Sequence, residues 1–373
     1  MAAAKKTVWS LDPHTRAKHE ILRRYLQAWT PILSLGGFPS IAYVDGFAGP
    51  GCYSEGQDGS PIIAIKAALE HQAKLKGNVS FLFIEKEKDR AERLEEHVAG
   101  LALPNNFQVR IVGGVTFEQG IRENLLDVHK KQAKQVPPTF AFIDPFGWTG
   151  VPFSLVREIL ASPSCEVLIN FMFEEINRFI ALPNQEANFD SLFGTGEWRQ
   201  MRALTDANAR RAFLYGLYLQ QLRAAAGAKY VRSFEMRNDK DVTDYFLFFA
   251  TNNPKGLAQM KEAMWTVDQS GEFRFSDATN QAQTLLFTPK PDFDELRRMV
   301  TARFAGKVAT VGEVEDFVLA DTPYRETHYK KQVLARLEAD GAVVAVNPPA
   351  GRKKGTYAEP KLRIKFEIPV ETK

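Results

Sequence analysis

Cysteine is scarce in this sequence, which contains only Cys52 and Cys165 among 373 residues. The two lie far apart in the chain, so their spacing matches neither a disulfide framework nor a zinc motif. No apolar run is long enough for a membrane helix. No long apolar stretch follows residues 1–6 either, so we expect no signal peptide. We therefore expect a protein of the reducing cytoplasm without disulfides, a bound metal or a membrane anchor.

An excess of charge of one sign is missing too. The net charge is +3, from 48 Lys and Arg against 45 Asp and Glu, which excludes a polycationic nucleic-acid protein. Any affinity for nucleic acid must therefore come from local basic clusters. The apolar fraction of 45% is ample for a hydrophobic core, and the chain length is typical of two or three domains.

Short apolar runs alternate with helical patterns through most of the chain. Such alternation predicts βαβ units, and hence an α/β fold with a doubly wound, Rossmann-like, mostly parallel sheet. The expected strands are residues 40–45, 79–84, 107–112, 140–143 and 167–172, followed by 230–236 and 245–249.

The order of these patterns predicts three segments. Residues 1–36 form a basic helix packed on the core, and residues 37–288 form the Rossmann-like domain with a helical insertion at about 174–228. Pro289-Lys290-Pro291 marks a boundary. Residues 292–373 then show three helical patterns and a β-hairpin with a basic tip, the outline of a winged helix-turn-helix domain.

A glycine-rich loop, Asp45-Gly46-Phe47-Ala48-Gly49-Pro50-Gly51, follows the first expected strand. Glycines let backbone N–H groups approach a ligand closely, and the next helix directs its positive end to the same place. The aspartate would repel a pyrophosphate but suits a ligand with an ammonium or hydroxyl group, such as S-adenosylmethionine. The alternative is an ordinary glycine-rich turn, because one such loop is weak evidence.

A second carboxylate, Glu85, ends the next expected strand. Carboxyl ends of parallel strands meet at one edge of the sheet, and an acidic residue there accepts hydrogen bonds from ribose hydroxyls. Together with the loop, it favours a nucleotide-like ligand. The expected S-adenosylmethionine contacts are Asp45, Gly46, Phe47, Ala48, Gly49, Gly51, Glu85 and Thr116.

The fourth expected strand ends in Asp144-Pro145-Phe146-Gly147. This segment resembles the D-P-P-[FYW] box of amino-methyltransferases, although the second proline is missing. The resemblance implies that Asp144 accepts hydrogen bonds from a substrate amino group and positions it for methyl transfer. It also implies that Phe146 or Trp148 stacks on a base. A simple strand-ending turn is the alternative, because Asp-Pro and Gly are common in turns.

Other charged residues near these motifs have a structural interpretation. His14, Lys18 and His19 are expected on a solvated helix face, with contact to a ligand as the alternative. Glu174 and Glu175 are expected to begin a helix, where acidic side chains are favoured. Their alternatives are a general base and a magnesium ligand.

Basic residues cluster on the last expected helix and on the hairpin tip. Such clusters suit a phosphate backbone, but winged helices also bind proteins, and many basic helix faces are simply solvated. Both classes of partner therefore stay open. The expected nucleic-acid contacts are Arg325, Lys330, Lys331, Arg352, Lys353 and Lys354.

Taken together, the motifs of about the first 270 residues resemble the three-Cys-motif partner protein family (TcmP). The resemblance implies a class I methyltransferase-like fold. The family name implies a partner with three clustered cysteines, similar to a radical-SAM iron–sulfur protein. The motifs are Pro13-His14-Thr15, Lys18-His19, Tyr25-Leu26-Gln27-Ala28-Trp29, the loop 45–51, Gly59-Ser60-Pro61, Ile143-Asp144-Pro145-Phe146-Gly147 and Phe249-Ala250-Thr251-Asn252.

These observations predict an S-adenosylmethionine-dependent methyltransferase that acts on a nucleic acid, for example on an amino nitrogen of a base, or on a nucleic-acid-associated substrate. One alternative is a non-catalytic partner subunit that uses the fold as a scaffold. Another is a winged-helix regulator that binds DNA or RNA. A nuclease would need Asp45, Glu85, Asp144 and Glu174 to gather around a divalent metal, which would leave the glycine loop unexplained.

Overall fold

A computed structural model describes residues 11–278 and 291–368 of the chain. The expected boundary residues Pro289 and Lys290 lie outside these ranges, as do residues 1–6. No helix within the described residues is long and apolar enough to span a bilayer. Two compact units are present, Met1–Ala263 with Arg274–Gln283 and Met264–Phe273 with Thr284–Lys373.

An eight-stranded sheet forms the centre of the first unit. Its strands are β1 (Ser40–Asp45), β2 (Asn78–Glu85), β3 (Phe107–Gly113), β4 (Thr139–Ile143), β5 (Cys165–Phe171), β6 (Tyr230–Arg237), β7 (Thr243–Thr251) and β8 (Arg274–Ser276). The spatial order is β3-β2-β1-β4-β5-β7-β6-β8. Strands β1 to β5 are mutually parallel, and β7 is antiparallel to both of its neighbours. The predicted doubly wound, Rossmann-like fold is confirmed.

The strand order reverses between β1 and β4. Strands β2 and β3 lie on one side of β1, whereas β4 and β5 lie on the other. Strands β4 and β5 are buried at every residue, as expected for the centre of a parallel sheet covered on both faces. The connections after β1 and β4 leave in opposite directions at this switch point, and the crevice between them is where such sheets bind ligands.

Helices connect the strands of this unit. The first begins with a proline in its first turn, a favoured position, and it packs Tyr25 against Phe140 of β4 and Phe249 of β7 at ring distances of 4.9 and 5.2 Å. The helices are α1 (Pro13–Leu35), α2 (Ser60–Leu69), α3 (Lys88–Ala99), α4 (Phe117–Ile121), α5 (Asp127–Lys131), α6 (Phe153–Leu160), α7 (Phe173–Phe179), α8 (Glu186–Phe193), α9 (Ala207–Gln220) and α10 (Pro254–Val267), whose residues from Met264 onwards belong to the second unit.

The segment between β5 and β6 is mainly helical and contains α7, α8 and α9. Its core is aromatic: Phe189 contacts Trp198, and Tyr218 packs on Phe171 of β5 at a ring distance of 4.6 Å. These side chains are fully or almost fully buried. The segment is therefore part of the same hydrophobic core as the sheet.

The second unit contains a winged helix-turn-helix domain. Its elements are α11 (Phe293–Phe304), β9 (Val308–Thr310), α12 (Val311–Asp321), α13 (Ala335–Ala339), β10 (Val343–Val346) and β11 (Arg363–Phe366). A π-helical turn, Lys330–Leu334, leads directly into α13. The three strands form an antiparallel sheet in the order β10-β11-β9, and the loop between β10 and β11 is the wing.

Candidate functional site

A two-lobed cleft lies at the carboxyl edge of the parallel strands, where the switch point predicts it. Phe47 and Phe146 line both lobes. The aspartate lobe, of about 300 Å³, is further lined by His14, Lys18, Gly49, Gly51, Asp144, Asn170, Asp244 and Tyr245. The glutamate lobe, of about 650 Å³, is further lined by Gly46, Glu85, Glu87, Arg90, Thr116 and Phe117.

The glycine loop crosses the end of β2 and contributes residues to both lobes: Gly46 to the glutamate lobe, and Gly49 and Gly51 to the aspartate lobe. Its backbone is fixed there because the Ala48 N–H donates to the Ile84 carbonyl at 3.0 Å. Gly51 has φ of 80°, and a Cβ at this position would lie 2.7 Å from the Leu94 side chain. The loop therefore needs glycine for both its backbone conformation and its close packing.

Asp45 lies beneath the loop and not on the surface of the cleft. Its carboxylate is fully buried and accepts hydrogen bonds from the Phe47 N–H at 3.2 Å and the Tyr43 hydroxyl at 3.3 Å. Burial raises the pKa of Asp45 from 3.8 to about 7, although the hydrogen bond from Ser60 opposes this rise. The expectation of a direct contact with a ligand is corrected: Asp45 holds the loop.

Glu85 shapes both the loop and the glutamate lobe. Its carboxylate accepts hydrogen bonds at 2.8 Å from the N–H groups of Gly49 and Glu87. It is almost fully buried yet lines the lobe. Because a carboxylate oxygen can accept more than one hydrogen bond, Glu85 retains capacity for hydroxyl groups of a ligand.

Thr116 stands at the start of α4, on the rim of the same lobe. Its Oγ1 accepts a hydrogen bond from the Gln119 N–H at 3.3 Å, as a helix N-cap does. Thr116 is therefore a cap that also lines the lobe. Next to it, the Phe117 ring packs on Phe47 with 5.7 Å between centroids.

Asp144 lines the aspartate lobe and forms two side-chain hydrogen bonds there. Its Oδ2 accepts a hydrogen bond from Lys18 Nζ at 2.5 Å, and its Oδ1 accepts one from Asn170 Nδ2 at 2.6 Å. Lys18 comes from α1 and is only 5% exposed, so the expectation of a solvated position is wrong. Within the described residues, Asn170 Oδ1 is buried without a hydrogen-bond partner, and Asn170 lines the lobe.

Histidines and further carboxylates surround this pair. His14 Nδ1 lies 2.6 Å from Asp277 Oδ2, and its Nε2 lies 3.8 Å from Asp244 Oδ2. Burial raises the pKa of Asp244. The neighbouring His19 is buried, which lowers its pKa to about 3, so it is neutral and not the solvated cation that the sequence pattern suggested.

Phe146 and Trp148 have different surroundings. The Phe146 ring is 66% exposed and lines both lobes. Trp148 instead stacks on Phe189 of α8 with 4.7 Å between ring centroids. It belongs to the hydrophobic packing of the helical segment, so of the two expected stacking residues only Phe146 faces the cleft.

The four carboxylates on which a nuclease would depend have separate partners. Asp45 and Glu85 hold the glycine loop, and Asp144 pairs with Lys18. Glu174 lies in the first turn of α7 and pairs with Arg178 at 2.8 Å. Within the described part of the chain, no group of three or more acidic, His or Cys side chains is arranged to hold a metal ion.

The residues expected to contact nucleic acid are not equivalent. Arg352 forms two hydrogen bonds of 2.9 Å with the buried Glu338, and its side chain is 10% exposed, which corrects its placement on the surface. Lys331, Lys353 and Lys354 are exposed. Lys330 lies 3.6 Å from Glu315, and Arg325 Nε donates to His328 at 2.9 Å.

Charge is unevenly distributed in the second unit. Residues 291–329 contain five Lys and Arg against eight Asp and Glu, whereas residues 330–368 contain nine against four. The helix after residue 330 and the wing therefore carry the positive charge, and α11 and α12 carry most of the negative charge.

Asn170 and Asp244 are site residues that the sequence reasoning missed, and Lys18 is one that it expected on a solvated face, with contact to a ligand as the alternative. Each lies on or next to an element whose local pattern is fully explained by folding: a basic helix, a buried strand and a strand start. For Asn170, the sequence offered one signal, namely its position at the end of an expected strand. Asn170 is at the carboxyl end of β5, the strand beside β4, and that edge was expected to bind ligands.

Comparisons with known proteins match parts of this description. Residues 274–350 match the model of a family described as GMT-like wHTH domain, which classifies that segment and not the whole chain. No curated protein has significant sequence similarity to the chain.

Among solved structures, the chain is similar to a protein from Legionella pneumophila str. Philadelphia 1, with 14% identity, a TM-score of 0.41 and coverage of 69% of this chain and 93% of the other. It is also similar to an O-methyltransferase from Bacillus cereus in complex with SAH, with 14% identity, a TM-score of 0.33 and coverage of 61% of this chain and 80% of the other. A third similar structure is Trm1 from Pyrococcus horikoshii with S-adenosyl-L-methionine, with 12% identity, a TM-score of 0.36 and coverage of 99% of this chain and 94% of the other.

Proposed function

We propose that this protein is an S-adenosylmethionine-dependent methyltransferase that acts on an amino group of a nucleic acid or of a nucleic-acid-associated substrate. One observation carries the proposal: the glycine loop, Glu85 and Asp144 meet in a single two-lobed cleft at the switch point of the sheet. The two lobes offer places for a cofactor and an acceptor side by side.

The residues present fit the cofactor. The glutamate lobe offers the Glu85 carboxylate for ribose hydroxyls and the rings of Phe47 and Phe117 for a planar base. The adjoining aspartate lobe contains the buried Asn170 Oδ1, which has no partner among the described residues and is left for the amino group of the acceptor. When bound, S-adenosylmethionine supplies an electrophilic methyl group.

Asp144 and Asn170 would position the acceptor. The Asp144 carboxylate has four lone-pair sites, of which Lys18 and Asn170 Nδ2 occupy two. An incoming amino group can donate to a remaining site and to Asn170 Oδ1, while the exposed Phe146 ring stacks on its base. Such contacts accelerate methyl transfer mainly by orienting the nitrogen lone pair.

Calorimetry with S-adenosylmethionine tests the proposal. We expect saturable binding to the wild type and binding weaker by about tenfold or more for Glu85→Gln, which loses the charged acceptor. Glu95→Gln on the exposed face of α3 is the matched control and should bind as the wild type does. Absence of binding by the wild type would instead support the non-catalytic scaffold.

The charge distribution of the second unit supports a second role, contact with a phosphate backbone by the helix after residue 330 and the wing. The similarity of the sequence motifs to the TcmP family supports a partner protein with three clustered cysteines. Both belong to this proposal as the means by which a substrate or partner reaches the protein.

A further inference from the structure

A second cavity lies at the amino edge of the parallel strands, the edge away from the two-lobed cleft. Its volume is about 260 Å³, enough for a small organic molecule. Its walls come from α1, the turn before β5 and the first turns of α10. They include Tyr25, Trp29, Ile32, Phe38, Ser164 and Gln259, and the exposed Lys255 of α10 also lines the cavity.

Glu166 of β5 lines this cavity and is only 4% exposed. Its Oε2 accepts a hydrogen bond from the Tyr25 hydroxyl at 2.5 Å, and its Oε1 accepts one from Thr251 at 2.6 Å. Both donors are neutral. Among the described residues, Glu166 forms no ion pair with Lys, Arg or His, which is unusual for a buried carboxylate.

The neighbouring helix compensates this charge only in part. Gly256, in the first turn of α10, packs so closely that a Cβ there would lie 2.1 Å from Glu166 Oε1. The helix start provides a partial positive charge. Burial nevertheless raises the pKa of Glu166, although the hydrogen bonds from Thr251 and Tyr25 oppose this rise. A full positive charge in the cavity would favour the ionised carboxylate.

Aromatic side chains complete the chemistry of a cation site. Trp29 and Tyr25 are buried against the cavity, and Phe38 is 38% exposed at its mouth. The faces of aromatic rings attract ammonium groups, most strongly where water is excluded. Ile32, also partly exposed at the mouth, adds an apolar surface for the rest of a ligand.

We propose that this cavity binds a small organic ammonium ion, whose charge is balanced by Glu166 and whose apolar body packs against Trp29 and Phe38. It is independent of the cleft and of methyl transfer. The ligand class follows from the combination of a buried carboxylate without a cationic partner and an aromatic wall.

Calorimetry on the full chain with 3-phenylpropylammonium tests this proposal, with 3-phenylpropan-1-ol as the uncharged probe of similar shape. We expect saturable binding of the amine and binding of the alcohol weaker by about tenfold or more. Glu166→Gln should lose the preference for the amine, whereas Glu95→Gln on α3 should retain it. Equal affinity for the two probes, no saturable binding of the amine, or an unchanged preference in Glu166→Gln would each overturn the proposal.

A second variant guards against a folding defect of Glu166→Gln. Ser164→Phe places a ring at the mouth of the cavity and leaves Glu166 and its two hydrogen bonds intact, because Ser164 is only partly buried. It should abolish binding of the amine. Amine binding to Ser164→Phe at wild-type affinity would place the binding site elsewhere and refute the assignment.

Discussion

Burial is the main cause of the raised pKa of Asp45. The folded protein raises its pKa from 3.8 to about 7, whereas the unfolded chain keeps the lower value. Between these two pH values the folded state binds more protons than the unfolded state. The free energy of unfolding must therefore fall as the pH rises from about 4 to about 7.

Asp45→Asn should remove this dependence, because an amide does not ionise but can still accept the hydrogen bond from Phe47. A rise of about three pKa units corresponds to about 4 kcal/mol. We expect the wild type to lose thermal stability between about pH 4 and pH 7, and Asp45→Asn to change much less. Glu95→Gln should behave as the wild type; a parallel pH dependence of all three proteins would contradict the prediction.

For Asp144 we expect an effect on activity, because this residue lines the cleft. Asp144→Ala should lower methyl transfer by about a hundredfold or more, because the acceptor loses its orienting partner. Binding of S-adenosylmethionine should be spared, since Glu85 and the glycine loop are untouched. Single-turnover methylation and calorimetry on the same protein separate the two effects, and unchanged turnover would remove Asp144 from catalysis.

At the scale of elements, the buried strands were predictable and their side-chain partners were not. Strands β1, β2, β4 and β5 are mainly apolar runs, whereas β3 alternates apolar and polar residues. The observed bounds of all five differ from the expected ones by at most two residues. Strands β8 and β9 were missed because three residues are too few to show a pattern.

The aspartate lobe shows why the rest could not be read from the sequence. Lys18 is buried because Asp144, 126 residues further along the chain, happens to lie opposite it. Periodicity alone assigns a lysine on a basic helix to solvent.

The wing offers a prediction about an element. Glu338 of α13 accepts hydrogen bonds from Arg352, the Gly355 N–H at 2.6 Å and the Tyr357 hydroxyl at 2.8 Å, and Arg352 is the main cause that lowers the pKa of Glu338 to about 2. Since this buried group ties the wing to the helix, Glu338→Gln should destabilise that attachment by about 2 kcal/mol.

Hydrogen exchange of the Gly355 amide is the suitable measurement, because it reports on the wing itself. It should become about tenfold faster or more in Glu338→Gln. Arg336→Gln alters an exposed residue of the same helix and should leave the exchange rate almost unchanged. Equal protection in both variants would show that the ion pair does not hold the wing.

At the scale of the whole molecule, the two units divide the proposed tasks: the first contains the cleft and the second carries the basic surface. A net charge of +3 hides this division, because the acidic part of the second unit offsets its basic part. Affinity for nucleic acid, if the basic surface provides it, must therefore depend on where the lysines are and not on their total number.

Two double variants of the full chain test this with random-sequence duplex DNA. Lys353→Ala/Lys354→Ala should weaken binding and reduce the slope of log K against log salt by about two. Arg303→Ala/Lys307→Ala removes the same charge from exposed residues of the acidic part and should change the slope little. Equal slopes for both variants would assign the contact to another surface.

The link between His14 and Asp277 has a consequence for synthesis of the protein. Helix α1 precedes all strands of the sheet in the chain, yet the partners of its His14 and Lys18 include Asp277 and Asp144. The cleft is thus completed only after translation has passed residue 277. Until then, the site in the nascent chain is incomplete, because His14 lacks its partner Asp277.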